Sequence, residues 1–330
     1  MNFEKWYDKI IILRNGHFIM EQRYYTLNQY FQKQFGEKVY KLSLNGGMTC
    51  PNRDGTCGSR GCIFCSEGGS GEFSSSPLLS IAEQIEEGKL RLKQKKVGQK
   101  FIAYFQAFTN TYAPISHLRR IFYEAIAPSE IVGLSIGTRP DCLSPEVLSL
   151  LKELNEKKPV FIELGLQTIY EKTATFIRRG YPLSCFEEAI PKLKAIGCNI
   201  VVHVILGLPN ETKDMILDEI RYLNTLPIDG IKLHLLHILK HTDLETYYNK
   251  HPFPTYTLEE YASLIVDCIN ELRPDIVVHR ITGDGPKNLL IAPLWSGHKK
   301  LVLNTIHHKM KEENCIQGKY YYNDIQRQER

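Results

Sequence analysis

Residues 38–65 read KVYKLSLNGGMTCPNRDGTCGSRGCIFC. The run Val39 to Leu44 is a short strand candidate, and a glycine-rich loop follows it with Cys50, Cys57, Cys62 and Cys65. The last two cysteines form a C-x2-C pair. Thiolates crowded in this way call for a metal, and Gly55, Gly58 and Gly61 let the backbone take positive φ and wrap closely around one. Spacing alone leaves two chemistries open. Four thiolates make a structural zinc site. Three hold an iron–sulfur cluster with one iron left open for substrate or cofactor.

The sequence on either side separates them. From residue 38 onward, short β-branched or aromatic runs alternate with amphipathic stretches at a repeat of about 30 residues, the length of a strand–helix unit. Strand candidates are Val39 to Leu44, Phe101 to Phe105, Ile131 to Gly137, Val160 to Leu166, Ile200 to Leu206 and Gly230 to Leu236. Helical stretches between them are Leu79 to Lys96, Ile115 to Ala127, Pro145 to Glu156, Tyr170 to Arg178, Cys185 to Ala195 and Lys213 to Thr225. Right-handed crossovers between parallel strands place every helix outside. The expected fold is therefore α/β, a partial (β/α)6 TIM barrel over residues 38–250. It carries an N-terminal extension (1–37) and an α-rich C-terminal region (251–330), the latter with helix Leu258 to Leu272 and a strand at Ile276 to Arg280. Polar residues gather where the strands end: Gln106, Thr109 and Asn110, then Thr138 to Asp141, then Gln167, then GLPNET at 207–212. Each cluster alone reads as a turn or helix cap, but their shared rim is where such barrels do chemistry. The cysteine loop follows the first strand onto that same rim, a position for a reactive cluster; a zinc knuckle stabilises a small module.

Composition agrees with an ordinary globular chain. Of 330 residues, 43% are hydrophobic and 24% charged, enough to bury a sizeable core and too apolar for disorder. A net charge of +4 admits a polyanionic partner without the strong basicity of a dedicated nucleic-acid binder. The basic stretch Lys89 to Lys100 reads as a solvated helix face. Nine cysteines, four of them within residues 50–65, point to metal ligation in a reducing compartment and away from a disulfide framework. No apolar stretch approaches the ~20 residues of a membrane span, and Ile10 to Leu13 is too short for a signal core. The expectation is a cytoplasmic protein. Met20, directly before EQRYYTLNQYFQKQFG, is the expected true start.

The segments KVYKLSLNGGMTCPNRDG and GCIFC resemble the YhcC/YtqA-type radical S-adenosylmethionine (SAM) proteins, relatives of the elongator catalytic-subunit and coproporphyrinogen dehydrogenase branches. The resemblance runs from about Tyr24 to Asp284. It implies a [4Fe-4S] cluster on Cys50, Cys62 and Cys65, with Phe64 inside the terminal pair. The first spacing is longer than the usual C-x3-C-x2-C, and Cys57 is left as an extra thiol. The resemblance also implies SAM contacts from Gln167 in ELGLQT and from Arg179 in RRG. At Arg179 a guanidinium can fork onto the methionine carboxylate as no lysine does. Gly207, opening GLPNET, would approach the adenine. Two places depart from the pattern. FQAFTNTYA stands where a Gly-Gly-Glu often binds the SAM amino group, making Gln106, Thr109 and Asn110 candidates by position. His203 replaces an acidic residue, and reads equally as a packed core histidine.

Radical chemistry in relatives of this kind implies a 5′-deoxyadenosyl radical, with a donor such as flavodoxin or ferredoxin supplying electrons. Gram-positive members imply tRNA as partner, and conversion of wobble 5-carboxymethylaminomethyluridine to 5-aminomethyluridine. A cation for the substrate carboxylate would come from Arg139, Lys232, Lys240 or Arg280. Tyr112 and Tyr256 are candidates for stacking on a splayed base. Asp284, in HRITGDGP (279–286), is a candidate acid–base group that also reads as a Gly-Asp-Gly turn. Two other readings stand beside these: radical SAM chemistry on a small metabolite or peptide, and a non-catalytic, zinc-stabilised nucleic-acid-binding protein.

Overall fold

The computed structural model describes residues 23–69, 71–72, 74–92, 98–283 and 285–321. The expected start at Met20, the candidate Asp284 and part of the basic stretch 89–100 lie outside the described residues.

Helix α1 (Leu27–Phe35) comes first, followed by strand β1 (Tyr40–Leu44). Then α2 (Ile81–Leu92), β2 (Phe101–Phe105), α3 (Ile115–Ile126), β3 (Ile131–Thr138), α4 (Pro145–Asn155) and β4 (Val160–Gln167) alternate. Two helices, α5 (Glu171–Phe176) and α6 (Leu183–Ala195), lead to β5 (Asn199–Leu206), and α7 (Lys213–Asn224) leads to β6 (Gly230–Leu235). A short β7 (Ile238–Leu239) and helices α8 (Asp243–Lys250) and α9 (Leu258–Glu271) precede β8 (Val277–Arg280). Strand β9 (Leu290–Ala292) pairs antiparallel with β7, and α10 (Lys299–Glu312) packs on α9.

The sheet order is β1-β2-β3-β4-β5-β6-β8, parallel throughout. The barrel was expected to have six strands; it has seven, because β8 pairs with β6 and sets Val277 opposite Gly230 and Arg280 opposite Lys232. A strand was expected at Ile276 to Arg280, but the excursion through β7, α8 and α9 hides that it joins the sheet beside β6. The sheet curls into a half-barrel. Lys41 on β1 and Lys232 on β6 both reach Glu163 on β4, which strands so far apart in a flat sheet would not allow.

Side chains alternate across each strand. The outward set, including Leu42, Phe105, Ile136, Leu164, Val204 and Leu233, packs against the apolar sides of the helices, such as Phe122, Leu150, Phe186 and Ile220. Each fully buried Leu, Ile or Phe contributes about 1.5–3 kcal/mol through apolar burial. The inward set is layered. At the N-terminal ends of the strands, Ile102, Phe161 and Val201 form an apolar layer with Val39 and Phe31, so α1 covers that end of the barrel. Thr26 and Gln29 close a capping box at the start of α1, and Gly36, at φ 80°, ends it. One layer up, the interior turns polar with Lys41, Tyr104, Ser135, Glu163, His203 and Lys232. Above that, Ser43, Gly137 and Gly165 present little or no side chain and leave a cavity of about 420 Å³ opening at the C-terminal rim. Among the described residues, no helix is long and apolar enough to cross a membrane.

Candidate active site

The cysteine loop leaves the end of β1 and folds over the cavity mouth. Arg53 N donates to Cys50 O at 2.8 Å and Gly61 N to Asn52 O at 2.7 Å, which draws the loop back on itself. Gly61 takes φ 75° directly against the Arg53 guanidinium. The loop is also tied to the RRG segment: Asn52 Nδ2 donates to Arg178 O at 2.7 Å, to Arg179 O at 3.1 Å and toward Cys62 Sγ at 3.4 Å. Gly180, at φ 81°, faces Asn52, and a Cβ there would overlap the Asn52 amide.

Cys50, Cys62 and Cys65 all line the cavity. Burial, reinforced by the Cys65 and Cys50 sulfurs, pushes the Cys62 thiol up to about 12, and burial raises Cys65 as well. Thiols of this kind surrender their protons to a metal and resist losing them to water. Donors already point at the sulfurs, with Arg139 Nη1 at 4.0 Å from Cys50 Sγ in addition to the Asn52 amide. Cys57 stands apart; it is exposed and lines a different groove with Arg60 and Arg178. Among the described residues, no three His, Cys, Asp or Glu side chains close around a single ion. The three cavity thiols, in a glycine-bent loop with N–H donors around them, fit a multi-iron body with one corner facing the cavity.

The rim residues expected from sequence divide into two groups. Gln106, Thr109, Gln167 and His203 line the cavity together with Arg139, Lys232 and Arg280. Gln167 does so from a left-handed backbone, φ 70°, where the β4–β5 register shifts at the strand end. Asn110 is not on the cavity wall. It is fully buried, with Nδ2 donating to Phe105 O at 3.2 Å and Gly137 O at 2.9 Å, and so it ties the ends of β2 and β3 together. Gly207, at φ 90°, packs against the Tyr256 ring and does not line the cavity. Tyr112 bonds Thr56 on the outside of the cysteine loop, and Lys240 is exposed.

Arg179 departs from the fork the resemblance implies. Nε donates to Tyr181 O at 2.9 Å, Nη1 to Leu166 O at 3.3 Å and Thr168 O at 2.6 Å, and Nη2 to Glu171 at 2.9 Å. Of five N–H groups, at most one is left. This buried arginine braces the end of β4, and with it Gln167, from behind. Arg139 also stands against the Tyr181 phenol: its guanidinium forks onto Asp141 at 2.9 and 2.7 Å and lies 4.9 Å from the ring centre.

Beneath lies a charged layer of which His203 and Lys232 were expected from sequence but Glu163 and Lys41 were not. Glu163, sealed from solvent, accepts from Lys41 at 2.5 Å, Ser135 at 2.7 Å and His203 at 2.8 Å, and pairs with Lys232. Burial alone would raise its carboxyl, but Lys232 and Lys41 hold it well below the ordinary range. Burial and the neighbouring Lys232 lower His203 to about 4, so it is neutral near pH 7. The Tyr104 ring lies 4.7 Å from both lysine nitrogens. The missed clue was period two: in VFIELGLQ the inward positions are Phe161, Glu163, Gly165 and Gln167, and a charge inside a buried parallel strand needs partners.

A parallel half-barrel with thiols gathered at its C-terminal mouth is the framework of an enzyme that works through a metal cluster. Comparison with known proteins narrows the class. The Radical SAM superfamily profile matches residues 54–223, beginning just past Cys50, and the Radical_SAM C-terminal domain profile matches 228–312. YtqA of Bacillus subtilis is 43% identical over 301 residues, covering 91% of this chain and 94% of that protein. A protein of Methanocaldococcus jannaschii named tRNA uridine(34) acetyltransferase is 26% identical over 197 residues, 58% of this chain and 35% of its own length. Among solved structures, the Elp3 protein of Methanocaldococcus infernus superposes with a TM-score of 0.64 at 16% identity, over 84% of this chain and 64% of that one. The chain belongs to the radical SAM superfamily, in its YhcC/YtqA-type branch. It is a radical SAM enzyme whose cofactors are a [4Fe-4S] cluster and SAM.

Proposed function

We propose that this enzyme acts in the cytoplasm on tRNA, converting wobble 5-carboxymethylaminomethyluridine to 5-aminomethyluridine. The observation that carries the reading is the cavity itself. It is closed at one end and has three thiols at its mouth; Arg53, Arg139, Arg179, Lys232 and Arg280 line it against Glu72 and Glu163. Such a shape suits a single extruded base bearing an anionic arm. The relative named for uridine 34 of tRNA supports the choice of substrate.

Cys50, Cys62 and Cys65 would hold the cluster. With SAM bound there, it would supply a 5′-deoxyadenosyl radical for hydrogen-atom abstraction and serve as acceptor for one electron, with a flavodoxin- or ferredoxin-like donor as reductant. The chain's residues position the reactants. Gln106, Thr109 and Gln167 are the polar contacts for SAM on the rim, and Arg179 fixes Gln167 through the β4 end. Arg139, neutralised by Asp141 and stacked on Tyr181, sets an N–H beside Cys50. His203, neutral and bonded to Glu163, offers no proton to the radical site at physiological pH. At the substrate, the CH2 between nitrogen and carboxylate loses one hydrogen atom and one electron, and the N–H loses its proton. Water adds to the resulting C=N bond and releases the 5-aminomethyl group and glyoxylate. The sequence consumes one SAM and leaves methionine and 5′-deoxyadenosine.

Nucleoside analysis of tRNA from a strain lacking the gene tests the reading. The carboxymethylated base is expected to accumulate and the aminomethyl base to fall; an unchanged profile removes this substrate.

A further inference from the structure

The cavity mouth has a lip made late in the chain. Strands β7 and β9 form a two-stranded ribbon there, and Leu239, Gly285 and Pro286 from its two arms line the cavity. Ile238 of β7, with Ile291 and Ala292 of β9 against it, shares an apolar cluster with Ile63 of the cysteine loop, which fixes the ribbon at the entrance. Three lysines meet on this lip from separate segments. Lys240 directly follows β7, and its backbone N–H donates at 2.8 Å to the carbonyl of Leu289, two residues from Lys287. The Lys287 side chain lies 3.9 Å from where a Cβ on Gly297 would stand. Gly297 closes the 3-10 turn that leads into α10, and Lys300 is in the first turn of that helix. All three lysines are exposed, and among the described residues none of them is in an ion pair.

The sequence around them is lopsided. Residues 285–311 contain five lysines and three histidines and not one Asp or Glu. Helix α10 opens with no acidic residue in its first turn and no side chain capping it. Cations at that end oppose the helix dipole, whereas an anion placed there is favoured by the dipole and by the uncapped N–H groups alike. A lip that exposes lysines and excludes carboxylates suits a partner whose charge is all of one sign.

We propose that Lys240, Lys287 and Lys300 form a phosphate-binding lip that grips the backbone of a tRNA while one base enters the cavity. That the polyanion is a tRNA rests on the reading above; the lip itself rests on charge and position. Lysine suits the role, because phosphates are held by point charges with no readout of sequence. An acidic protein is the poorer fit, since interfaces between proteins are depleted in lysine. Lys240, one of the cations considered for a substrate carboxylate, thus serves the strand outside and not the arm within.

Filter retention of bulk tRNA on anaerobically reconstituted holoenzyme, repeated over a range of sodium chloride, tests the lip. The triple variant Lys240→Gln, Lys287→Gln, Lys300→Gln should bind roughly 10-fold more weakly, the sum of three modest surface contacts. Its log–log salt slope should be shallower by about one for each lysine removed. A control variant, Lys33→Gln, Lys38→Gln, Lys152→Gln, loses the same charge at exposed sites away from the mouth and should bind as the wild type does. Iron per chain and far-UV circular dichroism establish that both variants are folded and loaded. Unchanged affinity and slope in the lip variant would overturn the proposal, and so would an equal loss in both variants, which would trace the effect to net charge. If the lip variant keeps its tRNA affinity but is reduced more slowly by flavodoxin, the lip serves an acidic protein and the proposal falls. If the lysines prove necessary for binding while the nucleoside profile of the deletion strain is unchanged, the lip stands and the wobble-uridine reading falls. If that strain accumulates the carboxymethylated base and the lip variant still binds as wild type does, the reading stands and the lip falls.

Discussion

Glu163 shows how one side chain organises the barrel interior. Four donors surround a carboxylate with no access to water, and two of those donors are ammonium groups. Glu163→Ala should therefore cost about 3–5 kcal/mol, since it leaves buried cations uncompensated, and urea denaturation should show it. Acid should act through the same network. His203 is depressed to about 4 from 6.5, so the unfolded chain takes up that proton first and stability falls as pH drops from about 6.5 toward 4. Glu163 is also depressed, and its stabilisation is lost as pH falls below the ordinary carboxylate value. Urea midpoints measured between pH 7 and 4 should fall on acidification, with a shallower fall in His203→Asn. At the rim, the expected split is among cysteines: serine at Cys50, Cys62 or Cys65 should abolish iron retention after anaerobic reconstitution, while Cys57→Ser keeps it. Colorimetric iron and sulfide per chain decides this. Residue type and spacing made the thiols legible in the sequence. The Arg179 bracing was not, because a guanidinium that binds carbonyl oxygens looks the same in sequence as one that binds a ligand.

Among the elements, α1 is where sequence reading stopped short. Its Tyr/Phe-rich pattern was visible, but nothing in one sequence says that Phe31 belongs against Phe161 and Val201 beneath the barrel. Phe31→Ala should cost about 3–5 kcal/mol, measured by the same denaturation. The strands β1 to β6 were legible because each is a short apolar or aromatic run between amphipathic helices. The seventh was expected as a strand but not as a member of the sheet, because its partner lies some forty residues earlier and across a long excursion. The link between RRG and the cysteine loop also belongs to this scale. Gly180→Ala would force Asn52 aside, and Asn52 joins Cys62 to the Arg178 and Arg179 carbonyls. Lower iron content in Gly180→Ala, with the far-UV circular dichroism unchanged, is the expected result.

For the whole molecule, alternating strands and helices implied an α/β half-barrel, and the outward faces bear that out with one continuous core. The inner faces were not legible, because curling a sheet brings together residues such as Lys41 and Lys232 that are distant in sequence and lie on strands that are not neighbours. On the proposed tRNA reading, a net charge of +4 spread over 330 residues leaves room for a phosphate contact of only moderate strength. Binding of tRNA measured by filter retention should weaken steadily as sodium chloride rises, with a slope corresponding to a handful of phosphates.

Because α1 stoppers the far end, the chamber is a blind alley. Among the described residues the way out is then the rim by which precursors enter, so spent molecules and fresh ones would share it. Finished product lingering there should hold back the next substrate, so adding it should slow the enzyme.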